Sequence, residues 1–441
     1  PTHPPPLPPD RRKYGKVFTF WPGNEPMIVV AEPKMVRQIL TDTQTFIKGS
    51  DYSNKFALVF GEGLVTSNGS KHKTDRSCLA KYFIKSGVEK YMGFMCSQTN
   101  DMIKTMLVPK HGQNLDLQEF FHMLALRIFG EFSCGHDYST DPEAKWINHQ
   151  VSHGSHVIGE HIVLGLPVWS WIPRIKKLKG VVNKMHLHIE KLIQNRLALR
   201  ANPPSEDWVE PEDPLKGLLD SNASRKDMYE QITTLLSAGH DTTAFFACYM
   251  AYLIAEHPEV QQKMKKEVKS VLQGREEVTP EDIKNMPYTG NVMKEVLRMY
   301  TVIPFVNRTT TKDVTLTTQK DPKLKTAADR DVKLPKGSVT LLPLFLMNRD
   351  PDVWENPNDF NPDRFNDLKI FDSSAKLGYL PFAYGSRTCI GNTLALTEGQ
   401  VMFALLMQKC TFTKIEGFRP KITAGISLVS TNGINVKITM D

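Results

Sequence analysis

Over residues 227–255 the chain runs about 29 positions with almost no helix breaker, and no other feature restricts the fold as much. At about 1.5 Å of rise per residue such a helix crosses a whole domain. The rest of the 441 residues must therefore be arranged around it. Two more helices are expected over 257–272 and 288–300, and helical texture dominates from about residue 33 to 300. Ahead of it, residues 16–21 and 27–30 read as short strands joined by a turn at Pro22-Gly23-Asn24. Beyond Pro304 the texture changes. Short β-rich pieces at 314–316 and 338–342 are separated by Pro, Gly and Asp, and a last helix follows Gly391. Asn432-Gly433 reads as the turn of a terminal hairpin. The Pro- and acid-rich stretch 201–214 reads as a surface loop. The fold class is mainly α with a minor β part, in one large domain.

Composition narrows the function. With 40% hydrophobic and 23% charged residues the chain is a folded globular protein. Its formal charge of +7 includes no block of five or six like charges, which speaks against nucleic acid. A basic face for an acidic protein or an anionic membrane suits the balance better. The cysteines Cys78, Cys96, Cys134, Cys248, Cys389 and Cys410 form no Cys-x-x-Cys pair. Reduced, mostly buried thiols are expected, with neither a disulfide frame nor a zinc site. No apolar run reaches the roughly 18–20 residues of a membrane span. Residues 1–10 are proline-rich, a stiff extended spacer or hinge, and the missing initiator methionine suggests that an upstream anchor or targeting segment has been removed.

The most informative segment is Pro381-Phe382-Ala383-Tyr384-Gly385-Ser386-Arg387-Thr388-Cys389-Ile390-Gly391. Gly385 and Gly391 would allow tight turns and close approach to a flat ligand. The helix that follows would bring its positive end and free N–H groups to the sulfur, lowering the thiol pKa so that it can ligate a metal. Arg387 offers a cation to an anionic group. A buried structural cysteine in a glycine-rich turn is the plainer alternative, but five spaced positions match Phe-x-x-Gly-x-Arg-x-Cys-x-Gly. In this segment the chain resembles the cytochrome P-450 family, eukaryotic microsomal type. The resemblance implies the P-450 fold, a long central helix over a haem, in a single haem domain spanning 11–441. It implies haem b with Cys389 as axial iron ligand, and oxygen activation rather than carriage, since a thiolate ligand favours O–O cleavage.

Other segments extend the resemblance. In the long helix, Ala238-Gly239-His240-Asp241-Thr242-Thr243 collects residues that helices tolerate poorly. The sequence leaves open a solvated polar face, Thr side chains bonding back to the i−4 carbonyl, or a local widening where a hydroxyl and an acid manage protons. Similarity to the family's acid–alcohol motif implies the last, with Asp241 and Thr242 catalytic and Ala238 over the haem; Phe245 and Phe246 are then expected in the core. Glu295 and Arg298 share a helix face at i, i+3, and Phe360-Asn361-Pro362-Asp363-Arg364-Phe365 supplies a second arginine. By resemblance, Glu295, Arg298 and Arg364 form a buried structural network. Arg308 falls where the family places a propionate-binding arginine, its alternative being a strand-end surface residue, and Val302 and Ile303 would line the substrate cavity. Gly69-Ser70-Lys71-His72-Lys73-Thr74-Asp75-Arg76 resembles Gly-x-x-Trp-x-x-x-Arg, with His72 in place of tryptophan. Arg76 and His72 would join Arg308 and Arg387 on the propionates, with Phe382 and Gly391 also at the cofactor.

Lys71, Lys73, Lys81 and Lys85 form either a solvated basic face or the docking side for an electron donor. Residues 162–173 are apolar with Trp169 and Trp171, then basic at Arg174, Lys176, Lys177 and Lys179. That pattern fits a membrane interface or a packed loop. The resemblance implies a monomeric monooxygenase on the cytosolic side of the endoplasmic reticulum membrane. It would insert one atom of O2 into an apolar substrate such as a lipid or sterol, with electrons from NADPH through a flavoprotein reductase. Residues 56–63 lack the tyrosine-rich pattern of sterol 14-demethylases. Two other readings stay open: a hydroperoxide-rearranging haem-thiolate synthase, and a non-enzymatic haem sensor.

Overall fold

The computed structural model describes residues 14–23, 25–169, 171–221, 223–317, 331–366 and 378–441. The proline-rich segment 1–10, Asn24 of the expected first turn and Ser170 lie outside the described residues. The long helix is present as 32 residues, Arg225–Glu256. In chain order the helices that build the site are Pro33–Thr41 (α1), Gly69–Phe83 (α2), Gln118–Cys134 (α3), Pro142–Val163 (α4), Pro173–Ala201 (α5), Arg225–Glu256 (α6), Pro258–Leu272 (α7), Pro287–Met299 (α8) and Asn392–Lys409 (α9). Proline opens α1, α4, α5, α7 and α8, where its fixed φ suits the first turn and its missing N–H costs nothing. Ser224 caps α6: its hydroxyl accepts the Asp227 N–H at 3.1 Å.

α6 is buried along nearly its whole length and on every side, as a helix through the middle of a domain must be. It packs most extensively on α3, and also on α5, α8 and the strand Cys410–Lys414. Gly239 explains part of that closeness, because a Cβ there would sit 2.1 Å from the Phe129 ring of α3. The glycine that weakens the helix thus allows tight interhelical contact.

The strands are Val17–Phe20 (β1), Met27–Val30 (β2), Phe46–Ile47 (β3), Asn114–Asp116 (β4), Val306–Thr310 (β5), Val314–Leu316 (β6), Val332–Leu334 (β7), Val339–Leu342 (β8), Cys410–Lys414 (β9), Ile422–Ala424 (β10), Leu428–Ser430 (β11) and Asn435–Met440 (β12). One sheet has the order β1-β2-β8-β5-β3. Its β2–β8 pairing is parallel, so the connection between them is a crossover, and here it contains α1 to α8. This sheet and α1 share a second, smaller core of Val30, Val36, Ile39, Leu40, Leu342 and Leu344.

Two sequence expectations need correction. Asn432-Gly433 turns the chain but closes no hairpin: β11 pairs with β10, while β12 pairs with β9 and β4. The Ser430 hydroxyl donates to the Gly433 carbonyl at 2.7 Å and the Asn432 side chain accepts the Lys421 N–H at 2.6 Å. These bonds tie the turn back toward β10 and send β12 into another sheet. The loop between α5 and residue 214 is largely exposed, but Asp213 at its end is fully buried, with its carboxylate 2.6 Å from the Arg196 guanidinium.

Gly433 has φ +81°, and a Cβ there would meet the Asp116 carboxylate at 2.3 Å. Gly433→Ala should therefore destabilise the protein by about 1 kcal/mol or more, read as a lower denaturant midpoint; an unchanged midpoint would contradict the account of this turn.

Candidate active site

The cysteine loop is held at both ends before any side chain enters the site. Leu380 donates its N–H to the Asn348 side chain at 2.8 Å, and the Asn348 amide donates to the Thr301 hydroxyl at 2.6 Å. Within the loop, Thr388 N–H donates to the Gly385 carbonyl (3.0 Å), and Cys389 N–H to that of Phe382 (2.9 Å). Gly385 has φ +76°, and a Cβ there would lie 2.6 Å from the Leu40 carbonyl at the end of α1. Glycine is required at that position. Gly391 differs from expectation: its φ is −87° and a Cβ would meet its nearest neighbours at 3.9 Å, so no turn demands it. Ala383 holds φ +58° without being glycine.

Cys389 is accessible although it lies deep in the protein, because the surface it exposes is the wall of a cavity of about 250 Å3. Across that cavity stand Ala238, Gly239, Thr242 and Phe246 of α6, with Val302 and Ile303 at one side and Phe382, Arg387 and Gly391 at the other. Phe246 is thus a wall residue rather than core alone; Phe245 packs edge-on against the His122 ring at 4.8 Å. Burial pushes the Cys389 thiol above its ordinary pKa, outweighing the Gly391 N–H and the Arg76 charge that favour the thiolate. The expectation of a thiol acidified by its loop alone is therefore corrected. The ionised sulfur needs a further cation, which a metal would supply.

Cations gather at one margin. Arg387 donates to the Ser67 carbonyl at 2.8 Å and the Asn68 side chain at 3.1 Å. Arg308, on β5, is buried and donates to the Asn307 carbonyl at 2.7 Å, which rules out the surface alternative. Burial, then the charges of Arg308 and Arg76, push Arg387 down to about 10. Burial, then Arg387, Arg76, Lys48 and Arg308, push His72 down to about 4. Lys48, which the sequence reading missed, falls well below its usual value through burial and the same two arginines, Arg308 and Arg387. Its ammonium sits 3.7 Å from the Tyr52 ring centre. Nearby Asp51 takes the Asn307 amide at 3.0 Å, and among the described residues no carboxylate ion-pairs with Arg76, Arg308 or Arg387. A group that carries its own carboxylates beside a cysteine-ligated metal fits this margin, and haem is such a group.

Behind the cysteine loop, Arg298 donates to both oxygens of Glu295 at 2.7 and 2.8 Å, and Arg364 donates to Glu295 at 3.0 Å. Glu295 and Arg298 are fully buried. The remaining guanidinium N–H groups reach carbonyls of Asn348, Pro357, Asp359 and Glu355. Arg298 also bonds Asn348, the residue that anchors Leu380, so the network and the cysteine loop are mechanically one unit.

On α6 the Thr242 hydroxyl donates to the Ala238 carbonyl at 2.8 Å, and that of Thr243 to the Gly239 carbonyl at 3.0 Å. This is the back-bonding alternative, in a helix assigned as α over the whole of Arg225–Glu256. Thr242 lines the cavity; Asp241 does not. Asp241 is buried away from the cavity among His122, His156, His240 and Ser152. His122 and His156 carry no sequence motif and were missed. Of the four lysines proposed for docking, Lys71 pairs with Asp227 (2.6 Å) and Asp75 (3.2 Å), and Lys85 sits 3.6 Å from Glu89. Lys81 lies over the Tyr82 ring, and Lys73, Lys81 and Lys85 are all exposed, Lys73 with no ion pair among the described residues. Trp169 and Trp171 stack at 5.3 Å and are 56% and 71% exposed, so they form no packed loop.

The family profile described as Cytochrome P450 matches residues 10–438. The chain is 25% identical to Cytochrome P450 4d2 of Drosophila melanogaster over 97% of this chain and 87% of that protein. It is 22% identical to Cytochrome P450 3A6 of Oryctolagus cuniculus over 91% and 80%, and 25% identical to Secologanin synthase 1 of Catharanthus roseus over 90% and 76%.

Glu295→Gln removes the charge that balances the buried Arg298 and the half-buried Arg364 while keeping the shape. It should cost about 3–5 kcal/mol of stability, measured by denaturant unfolding; a loss under about 1 kcal/mol, the scale of an exposed pair, would contradict the buried network.

Proposed function

The chain belongs to the cytochrome P450 family of haem-thiolate monooxygenases, and from that premise we propose that Cys389 ligates the haem iron while Arg76, His72, Arg308 and Arg387 hold the propionates. The observation that carries this reading is the Cys389 thiol facing Thr242 and Ala238 across an apolar cavity with a cationic margin. Lys48 joins the propionate-binding cations on the same ground. When bound, haem supplies a redox-active iron whose thiolate ligand favours O–O cleavage.

The chain's own contributions follow from position. Cys389 is kept in place by the Phe382 carbonyl and the anchored loop, so its sulfur would be pre-positioned to hold the haem iron. Val302, Ile303, Phe246 and Phe382 exclude water and favour an apolar substrate. Thr242 can release the Ala238 carbonyl and place its hydroxyl in the cavity as a proton donor. Asp241, next to it in sequence, holds the charge from which protons are supplied.

The substrate is an apolar small molecule of lipid or sterol character, and the electrons come from NADPH through a flavoprotein reductase that docks on the face of α2, where Lys73 is exposed. Residence at the endoplasmic reticulum membrane is supported by the exposed, stacked Trp169 and Trp171 followed by exposed Arg174, Lys176, Lys177 and Lys179. Aromatic and basic side chains together suit the membrane surface. Among the described residues no helix is long and apolar enough to cross a membrane.

With reductase and NADPH, a converted substrate should consume NADPH and O2 together. Thr242→Ala should lower product per NADPH by about tenfold or more, the difference appearing as hydrogen peroxide. Conversion of a hydroperoxide without NADPH, unaffected by Thr242→Ala, would contradict the proposal.

A further inference from the structure

Asp241 sits in a buried cluster contributed by three helices. His122 Nε2 of α3 lies 3.6 Å from Asp241 Oδ1, His240 Nε2 of α6 lies 3.1 Å from the same oxygen, and His156 Nε2 of α4 lies 3.8 Å from Oδ2. The Ser152 hydroxyl donates to Oδ2. Oδ1 has charged neighbours but no aligned hydrogen bond. His149 is the further titratable group facing His122, and His153 the one facing His156.

The backbone fixes how these rings are protonated. His122 Nδ1 is 2.8 Å from the Gln118 carbonyl and His240 Nδ1 is 2.6 Å from the Leu236 carbonyl. A carbonyl only accepts, so each Nδ1 carries a proton. A neutral ring would then present a lone pair at Nε2 to the Asp241 carboxylate. Two lone pairs and an anion cannot converge on one buried point without a proton between them. The cluster therefore holds at least one proton more than a carboxylate and neutral imidazoles would. His240 is the natural holder: burial opposes its charge, but the Asp241 carboxylate overcomes this and raises its pKa. His122 is pushed down, chiefly by burial, and stands ready as a second acceptor.

His156 connects the cluster outward. Both its ring nitrogens are buried and without a hydrogen-bond partner, while the side chain as a whole keeps 17% of its surface exposed. It lines a second cavity of about 480 Å3 between α4, α5 and the β10–β11 turn, whose titratable walls include His153, Glu160, Arg174 and Lys177. The haem-side cavity lies on the other face of α6, where Thr242 follows Asp241 by about 100° around the helix.

We propose that His122, His156 and His240 form with Asp241 a proton store behind α6, filled from the polar second cavity and drawn on at Thr242. This deepens the monooxygenase reading and rests on it. A proton leaving His240 Nε2 through Asp241 is replaced through His156, whose ring turns a nitrogen to the cavity, accepts a proton from hydronium there and hands it on to Asp241. The three histidines are positioning residues, since none touches substrate or cofactor.

The test uses the haem-loaded full chain. In the reduced carbon monoxide form, imidazole 13C resonances are titrated by NMR. His240 should stay protonated above the ordinary imidazole pKa of about 6.5, and Asp241→Asn should abolish that retention. With reductase and NADPH, His240→Asn and His156→Gln should each lower product per NADPH by about tenfold, short of a positioned acid's full contribution. The loss should deepen as pH rises. If His240→Asn does not accumulate, His156→Gln at the cavity edge carries the kinetic arm. A neutral His240 at pH 7 in the wild type, or unchanged coupling in His156→Gln, overturns the store. Throughout, the thiolate-type carbon monoxide band of the wild type reports separately on the reading beneath: its absence would overturn that reading, while its presence confines any failure to the store.

Discussion

Glu295, fully buried and accepting from two arginines, is the contact on which the site depends. An exposed Glu–Arg pair at i, i+3 contributes a few tenths of a kcal/mol. Buried, the same pair cannot be opened without stranding charge. Here the carboxylate also accepts the Asn361 N–H at 2.9 Å, so it fixes backbone as well as side chains. Arg298 spends its other N–H groups on the carbonyls of Asn348, Pro357 and Asp359. The irregular segment after β8 is thereby folded back over α8, and Asn348 passes the constraint to Leu380 and the cysteine loop. A rigid thiol thus arises from a charge network that never enters the cavity.

The cavity margin is arranged in the opposite way. Lys48, His72 and Arg387 are each disfavoured as cations by burial and by neighbouring arginines, and Arg308 by burial. The Cys389 thiol is disfavoured as an anion by burial. Both strains would be relieved by one ligand that brought carboxylates to the arginines and a metal cation to the sulfur. Such a ligand binds the native state alone, so its binding energy adds to folding stability. Fold and cofactor are in this sense one equilibrium.

The sequence made the architecture and the cavity's inner face readable. The long helix, α7, α8 and α9 follow from breaker-free runs and from prolines and glycines at their ends, and Cys389, Arg387, Phe382, Ala238, Thr242, Val302 and Ile303 stand on one cavity. What stayed hidden depends on contacts distant in the chain. Asn432-Gly433 signals a turn, but whether the next strand joins the same sheet is decided by β9, more than twenty residues upstream. Gly239 looked like a cost to α6 until Phe129 of another helix stood where its side chain would be. Lys48, Asn348, His122 and His156 belong to no local pattern and gain meaning from partners on other elements. Asp241 and Thr242 face different sides of α6 because adjacent helical residues point about 100° apart, which a motif read as a pair conceals.

The central claim is sulfur-to-iron ligation at the thiol carried by the anchored loop. It is tested most directly by the absorbance of the reduced protein under carbon monoxide, for the wild type and for Cys389→Ser. The account predicts the red-shifted Soret band of thiolate ligation in the wild type and its loss in the variant. A wild-type band at the unshifted position typical of a histidine-ligated haem, or a variant spectrum identical to the wild type, would contradict it.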